Sequence, residues 1–174
     1  TTFKEKHTAG MFISTMPFKI TIRKDYDFSY FVNKIAKDSM GMLRHQKYPY
    51  QFLLENLRSK SPNLPNLYDI LISYQNTRMD KQDAKVLYDA KWTFNGCTAN
   101  GLEIHLHDLN DTGGLAVAYD YAIARYDEEE ISRIHARILH MIDQIMQNHA
   151  IPINKIEIVT PEEKRMLLEE FNCT

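Results

Sequence analysis

Apolar and polar positions alternate with clear periods along most of this chain. The stretch Ala9 to Ile22, AGMFISTMPFKITI, begins at a glycine and is broken near its middle by Met16-Pro17. Beyond the proline, Phe18, Ile20 and Ile22 point one way and Lys19, Thr21 and Arg23 the other, the period of a strand with one buried face. Proline removes a ladder donor, so a bend at Pro17 in a core strand is the plain structural reading. Asp25 and Asp27 then offer N-caps for a helix from about Asp27 to Arg44, with Phe28, Phe31, Val32, Ile35, Ala36, Met42 and Leu43 as its core stripe. One glycine, Gly41, is tolerated within that pattern.

The turn His45 to Gln51 places Pro49 well as the first residue of a short second helix packed through Phe52, Leu53, Leu54 and Leu57. Arg58 to Asn66, rich in proline, serine and asparagine, reads as a loop. It leads to a strand from Leu67 to Asn76 that is expected to begin buried and end polar. From Thr77 to Asn100 the pattern loosens. Val86, Leu87, Tyr88, Trp92 and Phe94 form either a short strand, an arm lying on another surface, or a cap on the local core.

Next comes a hairpin. Leu102, Ile104 and Leu106 alternate with Glu103, His105 and His107, Asn110 to Gly114 turn the chain, and Leu115, Val117, Tyr119, Tyr121 and Ile123 return it. Opposite those large residues stand Ala116, Ala118, Asp120, Ala122 and Ala124, a face expected to let a helix approach closely. That helix is marked by Asp127 as N-cap, three glutamates in its first turn, and a stripe of Ile131, Ile134, Ile138, Ile142 and Ile145. The tail reads as a short strand after Ile151, then a helix whose Thr160 and Glu163 form a capping box around Pro161. Altogether the pattern predicts an α/β fold, a mixed sheet flanked by helices.

Composition narrows the function classes. With 174 residues the chain is one domain or one lobe of a larger one. Its 21 basic and 23 acidic residues leave a net charge of -2, which provides no electrostatic footprint for nucleic acid. No apolar run approaches the roughly 18 residues of a membrane span, and Thr1 opens no basic-apolar leader, so a cytoplasmic location is expected. Cys97 and Cys173 are far apart and read as free thiols. The first residues, lacking an initiator methionine, read as a cut from a longer polypeptide.

Three motifs carry a resemblance. AGMFISTMP at Ala9 to Pro17 resembles the GxFVNTLP motif of nonribosomal peptide synthetase condensation domains, with Ser14 where that family has asparagine. HQKYPYQ at His45 to Gln51 resembles its HQDYPFE, and RSKSPNLPNLYDILISYQN at Arg58 to Asn76 its SRSPLFDVMFSLQN passage, in the same order. The strand ends in Ser73-Tyr74-Gln75-Asn76 rather than the NYLGQ of the related epimerisation domains, which favours condensation. The tail to Asn172 resembles the passage from a condensation domain into an adenylation domain.

The resemblance implies a two-layer sandwich, the C-terminal half of a chloramphenicol acetyltransferase-like pair of lobes. Residues 1–159 would be the lobe and 160–174 the start of a linker towards an adenylation domain. The family joins aminoacyl thioesters held on phosphopantetheine arms of carrier proteins, so no directly bound cofactor is expected. The partners implied are the N-terminal lobe, peptidyl carrier proteins and the adenylation domain, without nucleic acid or membrane. The catalytic signature HHxxxDG is absent, and His107 to Gly113 only approaches it in what reads as turn chemistry. No catalytic residue is therefore assigned, and the chain alone is expected to be inactive.

What it would supply is one wall of the channel, through Ser14 and Thr15 and through Tyr74, Gln75 and Asn76, where hydroxyls and amides can hold a pantetheine amide or a thioester. The same residues could instead satisfy strand-end backbone groups. A latch segment over the channel falls in Thr77 to Asn100 by resemblance. His45 reads as a helix-terminal histidine, and His105 and His107, sharing a strand face, lack a nameable third metal ligand. Rival readings are a carrier- or partner-binding module without chemistry, an epimerisation-type relative, and a coenzyme A-dependent acyltransferase.

Overall fold

The computed structural model describes residues 7, 8, 16–75, 91–108 and 113–170. They fall into two compact units, Thr1–Leu67 with His149–Lys155, and Tyr68–Asn148 with Ile156–Thr174.

In the first unit, helix α1 (Phe28–Leu43) is capped as the sequence predicts, the Asp27 carboxylate accepting from Tyr30 N at 2.7 Å. Its start is tied to the returning chain: Phe28 N donates to Ile151 O at 2.9 Å, Ser29 Oγ to His149 O at 2.7 Å, and Ile153 N to Tyr26 O at 2.9 Å. Helix α2 (Tyr50–Lys60) runs three residues into the predicted loop, ending at Ser61. Pro49, expected as the first helical residue, is instead the N-cap in an extended conformation, one position before the helix starts at Tyr50. Leu54 is buried, but Phe52 and Leu57 are exposed, and none of the α1 stripe is buried, with Val32 and Leu43 exposed.

The expected strand is not formed where it can be seen. Residues 16–22 are irregular, Ile20 and Ile22 are exposed, and residues 9–15 lie outside the described residues. Alternation selects a face only once a neighbouring strand pairs with the backbone. The tail corrects similarly: Ile153–Lys155 is a 3-10 turn rather than a strand, although Asp27 and Pro152 form an isolated bridge.

The second unit is built on a mixed sheet of β1 (Ile70–Gln75), β2 (Leu102–His107) and β3 (Ala116–Tyr121), in that order. β1 runs parallel to β2, with Ile72 opposite Ile104, and β3 runs antiparallel to it, with Ile104 opposite Tyr119. A parallel pair needs a long crossover, which the chain between Gln75 and Leu102 provides. Helix α3 (Glu128–Gln147) starts with a complete capping box between Asp127 and Glu130.

The helix does not lie on the alanine face. Ile131 packs with Leu102 and Ile104, and Val117, Tyr119, Tyr121, Ile134 and Ile138 surround them. The register puts Val117, Tyr119 and Tyr121 on the same face as the β2 leucines and isoleucine, and burying that larger apolar area outweighs the closer approach that alanine permits. β1 shares little of this cover: Ile70, Ile72 and Tyr74 are exposed, so the strand begins exposed rather than buried. Tyr119 Oη and His135 Nδ1, 2.9 Å apart, link sheet to helix.

At the sheet's lower edge, Gly101 N donates to Asp69 O at 3.0 Å and to Asp69 Oδ1 at 3.1 Å, while the Arg125 guanidinium pairs with Asp69 Oδ2. A Cβ on Gly101 would come within 2.8 Å of both the Arg125 and Asp69 side chains, so glycine admits this pair. The tail docks on α3 through Arg137, which donates from Nε to both Glu163 oxygens at 3.0 Å, and through Gln144, which accepts from Glu157 N at 2.9 Å and donates to Glu157 O at 2.8 Å. Helix α4 (Pro161–Arg165) carries the predicted Thr160 capping box and continues as a π-helical turn through Glu170.

Two outcomes follow from these contacts. Tyr119→Phe removes the hydrogen bond to His135 without changing the ring, and denaturant unfolding should show a loss of about 1 kcal/mol. The Glu163 carboxyl is held below its usual range, first by the hydrogen bonds from Arg137. A depressed folded value means stability present above the ordinary glutamate range and lost as pH falls through the folded value. The melting temperature of Glu163→Gln should therefore fall less on acidification than that of the unaltered chain.

Candidate functional site

Of the predicted channel residues, Ser14, Thr15 and Asn76 lie outside the described residues, as do residues 77–90 of the expected latch stretch Thr77 to Asn100. Tyr74 and Gln75 end β1, and the structure sends them to opposite faces, because successive strand residues alternate. Tyr74 stands opposite Leu106 and is 62% exposed; Gln75 stands opposite His107 and is half-buried. Any surface they share is the strand tip. His45 is exposed in the turn after α1, its backbone N–H donating to Met42 O at 2.8 Å.

Gln75 leads to the most developed polar cluster of the second unit. His105 and His107, expected on a solvated face, are 6% and 8% exposed. The cover is Trp92. Its ring centroid lies 4.2 Å from that of His105 and 5.8 Å from that of His107, and its indole N–H donates to Asp120 Oδ2 at 3.3 Å. The segment holding Trp92 thus packs against the sheet of its own unit, as a cap.

Two carboxylates meet the buried imidazole. His105 Nε2 is 3.2 Å from Asp120 Oδ2 and 3.6 Å from Glu103 Oε2, yet both its ring nitrogens are buried without an aligned hydrogen bond. Glu103 is further held by Asn100 Nδ2 at 2.8 Å and Thr98 Oγ1 at 2.9 Å. Because Glu103 and Asp120 face each other across the β2–β3 register, like charges stand directly opposite. The alternating Glu-Ile-His-Leu-His and the single acid among the alanines of β3 are the sequence signals for this cluster. Nothing local links them to Trp92.

Elsewhere the chemistry is sparse. Among the described residues no group of three His, Cys, Asp or Glu side chains is arranged to hold a metal. Nor does any helix among them have the length and apolarity to cross a membrane. An open hollow of about 350 Å³ is lined by Glu157, Ile158, Val159, Lys164, Leu167 and Leu168, all in the tail. It adds nothing to the strand ends.

The family model described as the condensation domain matches residues 2–168. The chain belongs to the condensation-domain family. It is 34% identical over 168 residues to surfactin synthase subunit 1 of Bacillus subtilis (strain 168), covering 97% of this chain and 5% of that protein. To a plipastatin synthase subunit of the same organism it is 32% identical over 170 residues, 98% of this chain and 7% of that protein. It therefore spans a small fraction of these curated relatives. In fold it is similar to the starter condensation domain of rhizomide synthetase, with a TM-score of 0.62 at 19% identity over 84% of this chain and 35% of that one. A mutant of that domain gives 0.60 over 83% and 34%. The chloramphenicol acetyltransferase-like α/β expectation holds.

Trp92 is the testable centre of the cluster. Trp92→Ala exposes His105 and His107 and should cost about 2 kcal/mol in chemical unfolding followed by circular dichroism. Trp92→Phe keeps an aromatic cover but loses the indole donor to Asp120, for a smaller loss of about 1 kcal/mol.

Proposed function

We propose that this chain is the C-terminal lobe of a peptide-bond-forming condensation domain in a nonribosomal peptide synthetase. The observation that carries the reading is a family match over 2–168 in a chain without HHxxxDG. Its coverage of about a third of a solved condensation domain, 35%, fits one lobe of two. The order of the Ala9, His45 and Arg58 motifs and the linker-like tail support the C-terminal assignment, with residues 1–159 as the lobe and 160–174 opening towards an adenylation domain.

In this reading the lobe supplies one wall of the tunnel that admits phosphopantetheine-tethered substrates from carrier proteins. Ser14, Thr15 and Asn76 contribute hydroxyls and an amide; Tyr74 and Gln75 contribute at the tip of β1, each from its own face. The latch belongs to the stretch Thr77 to Asn100, within which Trp92 is engaged with its own sheet. The histidine that receives or steers the amine proton, a role suited to imidazole near neutral pH, belongs to the N-terminal lobe. This chain positions and encloses, working in the cytoplasm beside its carrier and adenylation partners.

The test is reconstitution with carrier proteins loaded with donor and acceptor aminoacyl groups. Dipeptidyl product is expected when a polypeptide carrying the HHxxxDG lobe is added, and none with this chain alone. Product from this chain alone would overturn the reading. In parallel, amide NMR with a loaded carrier should shift resonances at Ser14, Thr15 and Tyr74 to Asn76; shifts confined to the outer helices would favour the rival reading, a docking module without chemistry.

A further inference from the structure

The cluster under Trp92 is built more elaborately than a cap requires. A buried imidazole whose two nitrogens lack aligned hydrogen bonds demands an explanation. So do two carboxylates set opposite each other and largely shielded, with side chains 20% and 11% exposed for Glu103 and Asp120. His105 approaches both of them, and is placed to set positive charge between the two.

We propose that the segment from Lys91 to Gly101 is a proton-linked clasp, closed over the polar face of the sheet when His105 carries a second proton and loosened when it is neutral. An imidazolium has a donor on each nitrogen and no acceptor. In that state its charge offsets the repulsion between Glu103 and Asp120, and Nε2, the nitrogen that lies 3.2 Å from one acid and 3.6 Å from the other, becomes a charge-assisted donor shared between them. Asp120 is then fixed as acceptor for the Trp92 indole, and Glu103 for Thr98 and Asn100. Both anchors of the clasp thus converge on the two carboxylates.

With a neutral ring, the facing carboxylates repel without an imidazolium between them, and the anchors share that cost. Among the described residues, the groups facing His105 are few. β2 contributes Glu103 and His107, β3 contributes Asp120, and β1 opposes it with Ser73. From the clasp come Trp92, Thr98 and Asn100, with Lys91 exposed just before Trp92. Opening uncovers the face on which Ser73 and Gln75 stand beside the two histidines.

The chain's single tryptophan is the reporter. Acrylamide quenching of Trp92 fluorescence, followed from about pH 5 to about pH 8 where imidazole changes charge, should rise with pH along a one-proton curve. Through the transition the closed-to-open ratio falls by up to about tenfold per pH unit, the limit for one linked proton. His105→Asn should be flat, with circular dichroism showing the fold intact, whereas His107→Gln should keep the curve. If His105→Asn does not fold, Asp120→Asn decides: it removes one compensating charge and must move the midpoint to lower pH. A curve surviving unchanged in His105→Asn, an unmoved midpoint in Asp120→Asn, or a flat response in the unaltered chain overturns the proposal.

Discussion

The second unit depends on the register between β2 and β3. Pairing Leu102 with Tyr121 and Ile104 with Tyr119 gathers the large apolar side chains onto one face and leaves Glu103, His105, His107 and Asp120 on the other. A slip by one residue would exchange the two sets and destroy both surfaces at once. The apolar face recruits α3 through Ile131, Ile134 and Ile138. Through Arg137 and Gln144 that helix then holds the tail, so the position of Thr160 and the start of α4 follows from the same pairing.

On the reverse face, the same register creates an electrostatic problem and its solution together. Placing Glu103 opposite Asp120 is unfavourable taken alone. With His105 one pleat along the same face, and an indole that both packs against the imidazole and donates to Asp120, the acids become the fastening of an irregular segment. Burial strengthens each such interaction and also raises the cost of leaving one unmade. Asp69, Arg125 and Gly101 tie the end of the sheet in a more solvent-exposed way.

The strand tip where Gln75 meets His107 is where the family reading and the polar face come nearest to each other. Tyr74 and Gln75 cannot present a common face, because successive strand residues point to opposite sides.

By itself the sequence determined the local structure and the family. The caps at Asp27, Asp127 and Thr160 and the periods of α1, α3, β2 and β3 need only neighbouring residues, because capping and alternation act over three or four positions. The ordered motifs at Ala9, His45 and Arg58 were enough for the resemblance. Tertiary structure decided which face each pattern buries. It put α3 on the tyrosines rather than the alanines, left Phe18 to Ile22 irregular, left the α1 stripe without a buried residue, and brought Trp92 onto His105. Those outcomes depend on partners distant in the chain, such as Asp120 against Trp92, and periodicity carries no information about which distant surface a face will meet.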